Sequence, residues 1–187
     1  MSQTISLIDS AQWVNPTLSV YDEGHLFEFH IQDAFNYHGY DAVGGVVLGF
    51  RLLQKAIQIF SIVEPQKLLH RRELSLFTAF PGLGARDCFE LVTRMVTDGR
   101  IKVDTDYSQT LAQEGVQGRF FFEFAYRDAK VQLAPIDGYP GENFIALGKA
   151  SKQPHFSSEQ QLAWRNAKYE LANTLLSADA ETVIRVL

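Results

Sequence analysis

Residues 38–62 have the sequence HGYDAVGGVVLGFRLLQKAIQIFSI, a glycine-containing turn followed by a long apolar segment. This segment predicts a helix from about Val46 to Ile62, with apolar side chains on all of its sides. Such a helix packs in the centre of a protein rather than on its surface. Glu64 and Pro65 should end it, because the residue before a proline disfavours the helical conformation. We therefore expect the fold to be built around this helix.

The segments on either side mix helical and extended patterns. Upstream, we expect an arm over the first twenty residues and a helix over 22–37. Downstream, the patterns predict a strand over 73–80, a helix over 87–96, strands over 100–104, 118–126 and 129–134, a long connection over 136–154, and helices over 157–176 and 180–187. Strands and helices do not alternate as they do in a doubly wound parallel sheet. The chain is therefore predicted to be α+β, with helices packed on a mixed or antiparallel sheet.

The composition is that of an ordinary soluble globular protein. The 187 residues (21.1 kDa) are 46% hydrophobic and 21% charged, with 17 Lys and Arg against 22 Asp and Glu. A chain of this length buries roughly 70% of its unfolded surface, so it needs no disulfide or structural metal to fold. The net charge of −5 argues against nucleic-acid binding, which requires a basic surface.

The sequence carries no recognisable targeting segment. Its first ten residues, MSQTISLIDS, contain neither the basic region nor the apolar stretch of a signal peptide. The most apolar tract, residues 42–50, is interrupted by Arg51 and is too short to span a bilayer. We therefore expect a cytoplasmic protein that does not bind membranes. Cys88 is the single cysteine, which excludes an internal disulfide and a zinc site built from several thiolates.

The turn before the central helix is the first candidate site. It contains His38, Tyr40 and Asp41. An imidazole and a carboxylate three residues apart can share a metal ion or a proton. Alternatively, His38 only fixes the turn, and Gly39 and its neighbouring glycines allow close backbone packing.

The second candidate site is the segment PGLGARDCFE, residues 81–90, which combines a strand end, a glycine turn and a helix start. Free N–H groups in the first turn of a helix can bind an anion or a carboxylate ligand. A thiol there, such as Cys88, can also have a lowered pKa and act as a nucleophile. Alternatively, Asp87 caps the helix, Cys88 is a small buried group and Glu90 is a first-turn carboxylate. The spacing matches neither a P-loop nor a dinucleotide fingerprint.

Two further features have simpler explanations. His25 and His30 are five residues apart, which does not align them on one face of a helix for metal binding. The aromatic strand over 118–126 can stack a ring-bearing ligand, but in an acidic chain it is more typical of a core and of an interface between two copies of the protein. We therefore expect a homodimer.

The first turn resembles a signature of the E-subunit (FmdE) family of formylmethanofuran dehydrogenase. His38-Gly39, followed by Gly45, Gly49 and Arg51, resembles the His-Gly-His-Leu-Cys-Pro-Gly opening of that family and the Gly-aromatic-Arg helix that follows it.

The second signature of the family is Cys-Gly-x-Asp-Ala-x-Gln, followed by Gly-Cys-Thr and a glycine. Residues 84–101, GARDCFELVTRMVTDGRI, resemble it, with Asp87, Glu90 and Gly99 at its aspartate, glutamine and final glycine. The resemblance covers residues 29–135. It implies an α+β fold similar to the C-terminal domain of glyceraldehyde-3-phosphate dehydrogenase, with an FmdE-like domain over 1–150 and a C-terminal helical extension over 151–187.

The family binds a metal such as zinc in a cleft near these signatures, but this chain lacks its cysteine ligands. Tyr40 stands at the second histidine, Gly84 and Met95 stand at cysteines, and Cys88 stands where the family has alanine. The cysteine-rich zinc finger is also missing after residue 135. The residues left at matching positions are His38, Asp41, Asp87 and Glu90, a nitrogen and oxygen set that suits zinc or another divalent ion.

Three functional hypotheses follow. The first is a protein that binds a small molecule or a metal in a cleft between the His38 and Asp87 turns. Its ligand-binding residues would be Tyr40, Gly84, Cys88 and Glu90, and its metal ligands would be His38, Asp41 and Asp87. The second is a metal-dependent hydrolase or lyase that uses His38 with a carboxylate base. The third is a dimeric interaction module whose site is vestigial.

Overall fold

The computed structural model describes residues 12–63 and 69–187. Its strands are β1 (Thr17–Asp22), β2 (His25–His30), β3 (Leu74–Thr78), β4 (Ile101–Val103), β5 (Phe122–Tyr126), β6 (Ala129–Pro135) and β7 (Ile184–Val186). Its helices are α1 (Ile31–His38), α2 (Val43–Val63), α3 (Leu83–Thr93), α4 (Glu142–Ala150), α5 (Ser158–Leu176) and α6 (Ala180–Val183), and a 3₁₀ turn spans Arg71–Glu73.

The central sheet has five strands in the order β4-β3-β5-β6-β7. Strands β3 and β4 are parallel, and the other neighbours are antiparallel. In β5, Phe122, Phe124 and Tyr126 face the core, while the alternate residues are half-buried. The predicted α+β fold with a mixed sheet is thus confirmed, whereas the similarity to the dehydrogenase domain stays a prediction.

Helix α2 is the central element, as its composition predicted. It packs against α3 and α5, and side chains from all of its sides are buried, including Val47, Phe50 and Leu53. Residues 43–62 are long and apolar enough to cross a membrane, but 67% of that segment is buried inside the protein, as in the core helix of a globular fold. Glu64 and Pro65, the predicted helix stop, lie outside the described residues.

The predicted helix over 22–37 is wrong. Its first part is a hairpin in which β1 and β2 pair antiparallel, and only α1 is helical. Glu23 and Gly24 both have positive φ angles (46° and 89°), the conformation that two-residue hairpin turns require. Phe27 and Phe29 alternate with exposed residues along β2, which is the period of a strand. Of the predicted arm, residues 1–11 lie outside the described part of the chain.

Two other segments differ from the prediction. The connection expected over 136–154 contains helix α4, in which Gly148 lets Val116 and Trp164 approach the helix axis. The helix expected over 180–187 ends at Val183, after which β7 pairs with β6.

Helix α5 begins at the predicted capping box, in which the side chains of Ser157 and Gln160 each accept a hydrogen bond from the other's backbone N–H. Its C-terminal half packs on α2, where the guanidinium of Arg51 donates to the carbonyls of Leu175 and Leu176 (2.9 and 3.1 Å). The domain boundary expected at residue 150 stays a prediction.

Candidate functional site

Helix α3 begins earlier than predicted, at Leu83, after the N-cap Gly82. The reason is the contact between α3 and α2. A Cβ on Gly84 would lie 2.7 Å from the carbonyl oxygen of Ala42, so only glycine allows this approach. Asp87 consequently lies in the second turn of α3 and does not cap it.

The structure brings His38 and Asp87 together. Nδ1 of His38, at the end of α1, lies 2.7 Å from Oδ2 of Asp87. The His38 side chain is 10% exposed and that of Asp87 is 36% exposed, so the pair sits at the protein surface with its imidazole mostly covered. Gly39 ends α1 with a φ angle of 88°, a conformation that favours glycine and turns the chain towards α2.

The two residues between Gly39 and Ala42 make separate contacts. The ring of Tyr40 stacks on Phe35 (centroids 5.6 Å apart), and its hydroxyl accepts a hydrogen bond from Gln32 at 2.9 Å. The main-chain carbonyl of Asp41 accepts a hydrogen bond from the ammonium of Lys168 on α5. The turn is therefore held from α1 on one side and from α5 on the other.

Cys88 is part of the α2–α3 interface. Its side chain is buried, and a Cβ on Gly49 of α2 would lie 3.1 Å from its own Cβ. Burial raises the pKa of the Cys88 thiol, which opposes formation of the nucleophilic thiolate.

Glu90 holds the chain that leaves α3. Its carboxylate accepts hydrogen bonds from the backbone N–H groups of Val96 (2.8 Å) and Thr97 (3.0 Å), and from the Thr97 hydroxyl. Burial opposes the charge, but these hydrogen bonds and nearby Arg94 hold the pKa of Glu90 below its usual value. Glu90 thus stabilises the end of α3.

These residues do not fit the zinc site that the resemblance implies. Among residues 12–63 and 69–187, no group of three or more His, Cys, Asp and Glu side chains is placed to hold a metal ion. His38 and Asp87 form a pair, whereas Cys88 and Glu90 are engaged elsewhere. A divalent metal stays a prediction from the resemblance.

Beside the two glycine turns lies a cavity of about 260 Å³. Helices α2 and α3 form its floor, the segment 116–120 forms one side, and α4 and α5 cover it. Its lining residues are Ala42, Gly44, Gly45, Leu48, Phe80, Pro81, Gly82, Leu83, Gly84, Val116, Gln117, Phe120, Phe144, Gly148, Ser151, Lys152, Trp164, Lys168 and Leu171. Of the predicted site residues, Gly84 lines the cavity, whereas His38, Tyr40, Asp41, Asp87, Cys88 and Glu90 do not.

Two pairs of aromatic rings face the cavity. Phe80 and Phe120 stack with centroids 4.9 Å apart and an interplanar angle of 27°. Phe144 of α4 and Trp164 of α5 are 4.6 Å apart at 54°. The first pair belongs to the segments flanking β3 and β5, and the second belongs to the helical cover.

A wider groove of about 570 Å³ lies between β1, α2 and α6. Its lining mixes charged and amide residues such as Gln54, Asp179 and Glu181 with apolar ones such as Leu18 and Ile57, and its described lining residues include no aromatic ring. Ligand pockets are mostly apolar, with a few polar groups that fix orientation. The smaller cavity therefore fits a binding site better, despite its size.

The sequence prediction missed the residues that α4 and α5 contribute. One signal was present: Trp164, Lys168 and Leu171 are spaced i, i+4 and i+7, so they share one face of α5. What could not be read from the sequence is that this face packs on Gly44 at the start of α2, more than a hundred residues earlier.

No protein-family model and no curated protein matches this chain. The relation to the FmdE family therefore stays a prediction from the motifs of residues 29–135.

Proposed function

We propose that this protein binds a small organic molecule in the cavity between α2, α3 and the α4–α5 cover. The observation that carries the proposal is the cavity of about 260 Å³ with two aromatic pairs in its walls. Concave, mostly apolar sites with a few convergent polar groups are typical of ligand pockets. A dry cavity of about 150 Å³ holds benzene, so this one has room for a molecule of about two fused rings.

The position of the cavity supports the same function. The two glycine-rich segments that we singled out in the sequence both reach its wall, through Gly44 and Gly45 at the start of α2 and Gly82 and Gly84 at the start of α3. Glycine at these places lets the surrounding elements close around the cavity, because a Cβ on Gly44 would lie 2.8 Å from the Leu171 side chain and one on Gly82 would clash with the Phe80 ring.

The test uses naphthamide, an uncharged two-ring probe, in isothermal titration calorimetry. We expect saturable binding to the wild-type protein at one site per chain. Ser151→Trp should abolish this binding, because residue 151 lines the cavity and an indole there would fill it. Ala146→Trp is the matched control, since residue 146 is exposed on α4, the helix that ends just before Ser151, and does not line the cavity. Absence of wild-type binding, or equal binding to both variants, would refute the proposal.

The His38–Asp87 pair favours a second candidate, a hydrolytic enzyme. A carboxylate on one ring nitrogen orients an imidazole and stabilises its charged form, so that the other nitrogen can take a proton from water. The 2.7 Å contact has this arrangement. Asp87 lies one helical turn after Leu83, which lines the cavity, although Asp87 itself does not line it.

Naphthyl acetate, an ester with the same ring system, tests this candidate. The enzyme hypothesis predicts hydrolysis by the wild-type protein that drops at least about 100-fold in both His38→Asn and Asp87→Asn, the scale of general base catalysis. His155→Asn, an exposed histidine beyond α4, should keep the full rate. Equal rates in all four proteins would exclude the pair as a catalytic base for this ester.

A further inference from the structure

The charge around the cavity is one-sided. Lys152 and Lys168 line it, and its described lining residues include no aspartate or glutamate. The whole chain has a net charge of −5, so a cavity whose charged lining residues, among those described, are both lysines departs from the average surface of this protein. A field of one sign in a concave site attracts ligands of the opposite sign.

Lys168 holds its charge at the edge of an aromatic wall. Its Nζ lies 5.7 Å from the centre of the Trp164 ring and donates a hydrogen bond to the main-chain carbonyl of Asp41. An ammonium has three donors, so this contact leaves donors for a ligand. Partial burial lowers the pKa of Lys168, while the nearby Asp41 carboxylate favours its charged form.

Lys152 stands at the rim. It is exposed, and its Nζ donates to Oε1 of Gln117 at 3.2 Å, which links the end of α4 to the segment 116–120. Lys168 is therefore the inner cation and Lys152 the outer one.

The starts of α2 and α3 add to the same field. Both lie in the cavity wall, and neither described first turn contains an acidic residue. The N-terminal end of a helix carries a partial positive charge, which an acidic side chain would partly neutralise. The start of α3 contributes this charge to the cavity, whereas at α2 the nearby Asp41 carboxylate offsets part of it.

We propose that the ligand is a small aromatic carboxylate whose ring lies between the Phe80–Phe120 and Phe144–Trp164 pairs and whose carboxylate meets Lys168. This inference rests on the proposed function and specifies its ligand class. The cavity volume limits the ring system to about two fused rings. The single inner cation suits one negative group.

The experiment compares naphthoate, naphthamide and naphthylmethylammonium, which share one ring system and differ in charge. With the wild-type protein we expect naphthoate to bind about tenfold more tightly than naphthamide, because a charge-assisted hydrogen bond is about twice as strong as a neutral one. The ammonium probe should bind most weakly. Naphthoate should also displace naphthamide, which shows that both use the same site.

Three lysine variants locate the charge. Lys168→Gln should bring the naphthoate-to-naphthamide affinity ratio to about one and leave naphthamide binding within about twofold, because only the charged contact is lost. Lys168→Arg should keep most of the preference. Lys149→Gln is the control, since it removes the same charge from an exposed position of α4 that does not line the cavity. Thermal unfolding curves verify that each variant is folded.

The outcomes separate the two proposals. If none of the probes binds the wild-type protein, the proposed function fails and the ligand class fails with it. If naphthamide binds as tightly as naphthoate, or the ammonium probe binds best, the binding site stands and the carboxylate inference is overturned. A preference for naphthoate that survives unchanged in a folded Lys168→Gln protein would overturn the assignment to Lys168.

Discussion

The α2–α3 contact and the α4–α5 cover pack in opposite ways. In α2 and α3, Gly49 and Gly84 bring two backbones together, and side chains such as Phe50 and Phe89 are buried. In α4, by contrast, Gly148 is the one buried residue, and the first turns of α5 are exposed to solvent. Both regions are helical, yet one is built from backbone contact and the other from scattered side-chain contact. We infer that the first region supplies stability and the second supplies a less stable wall of the cavity.

Arg51 links the two regions and should give the largest effect. Its guanidinium is buried and donates to the carbonyls of Val14, Asn15, Leu175 and Leu176. Arg51→Met would remove the guanidinium donor from the carbonyls of Val14 and Leu175, while those of Asn15 and Leu176 keep a donor from Gln54 and from the Val14 N–H. We expect a loss of about 4 kcal/mol in the free energy of unfolding. Chemical denaturation measures this value. Arg86→Met, at an exposed position of α3, should change it by less than about 0.5 kcal/mol, and similar losses in both variants would contradict the role of Arg51.

Hydrogen exchange tests the difference in local stability directly. Amides in the middle of α2 should open only with global unfolding, whereas those of α4 and of residues 158–168 should exchange through local opening. We expect the opening free energy of α4 and of residues 158–168 to be about 3 kcal/mol lower than that of α2, because few of their apolar side chains are buried. Equal protection of amides in α2 and in the α4–α5 cover would contradict the difference in stability between the two regions.

Two glycines of α2 differ in how closely their backbones approach α3. A Cβ at Gly49 would lie 2.9 Å from Cα of Ala85, whereas a Cβ at Gly45 would find its nearest atom at 3.5 Å. Gly49→Ala should therefore cost about 2 kcal/mol by forcing α2 and α3 apart. Gly45→Ala should be neutral or stabilise by up to about 1 kcal/mol through helix propensity. Thermal or urea unfolding measures the stability of the two variants. If Gly45→Ala lost more stability than Gly49→Ala, the interface would not be tightly packed at Gly49.

Glu90 should give the smallest effect and a dependence on pH. Its folded pKa is lowered, so its stabilising charge is present above the pKa of the unfolded state, about 4.3, and is lost as the pH falls through the folded pKa. At neutral pH we expect Glu90→Gln to cost about 1.5 kcal/mol, because the amide replaces charge-assisted hydrogen bonds to Val96 and Thr97.

Urea unfolding across a pH series measures this difference. It should shrink steadily below about pH 4.3, since the wild-type carboxylate becomes protonated there. Glu170→Gln, at an exposed position of α5, is the control and should match the wild-type protein at every pH. A constant cost for Glu90→Gln at all pH values would mean that shape and not charge matters at this position.

The sequence predicted those parts of the fold whose signal is local. Helix α2 and strands β3, β5 and β6 follow from composition and period over their own residues. The hairpin of β1 and β2 was missed because Glu23-Gly24 looks like a first helical turn unless its positive φ angles are known. Helix α4 was missed because Gly141 and Gly148 are typical of a connection, and its burial against Val116 and Trp164 is a tertiary effect.

The same limit applies to the candidate site. The glycine turns and the contact between the His38 and Asp87 segments were within reach, because unusual residue types mark them. By contrast, the hydrogen bond from Lys168 to the carbonyl of Asp41 joins residues that are 127 positions apart, so no local sequence pattern predicts it. Cys88 and Glu90 illustrate the converse: they belong to a suggestive motif, but the structure uses them for packing and for ending a helix.

The cover of the cavity comes from one uninterrupted piece of chain. Phe144, Gly148, Ser151, Lys152, Trp164, Lys168 and Leu171 all fall within residues 142–171, whereas the floor comes from distant parts of the sequence. Selection could therefore rewrite what the protein recognises by exchanging this segment alone, while the helix pair beneath it keeps the fold. Ligand specificity can then change through substitutions in this one segment while the rest of the fold is kept. We therefore expect related chains to differ most in residues 142–171.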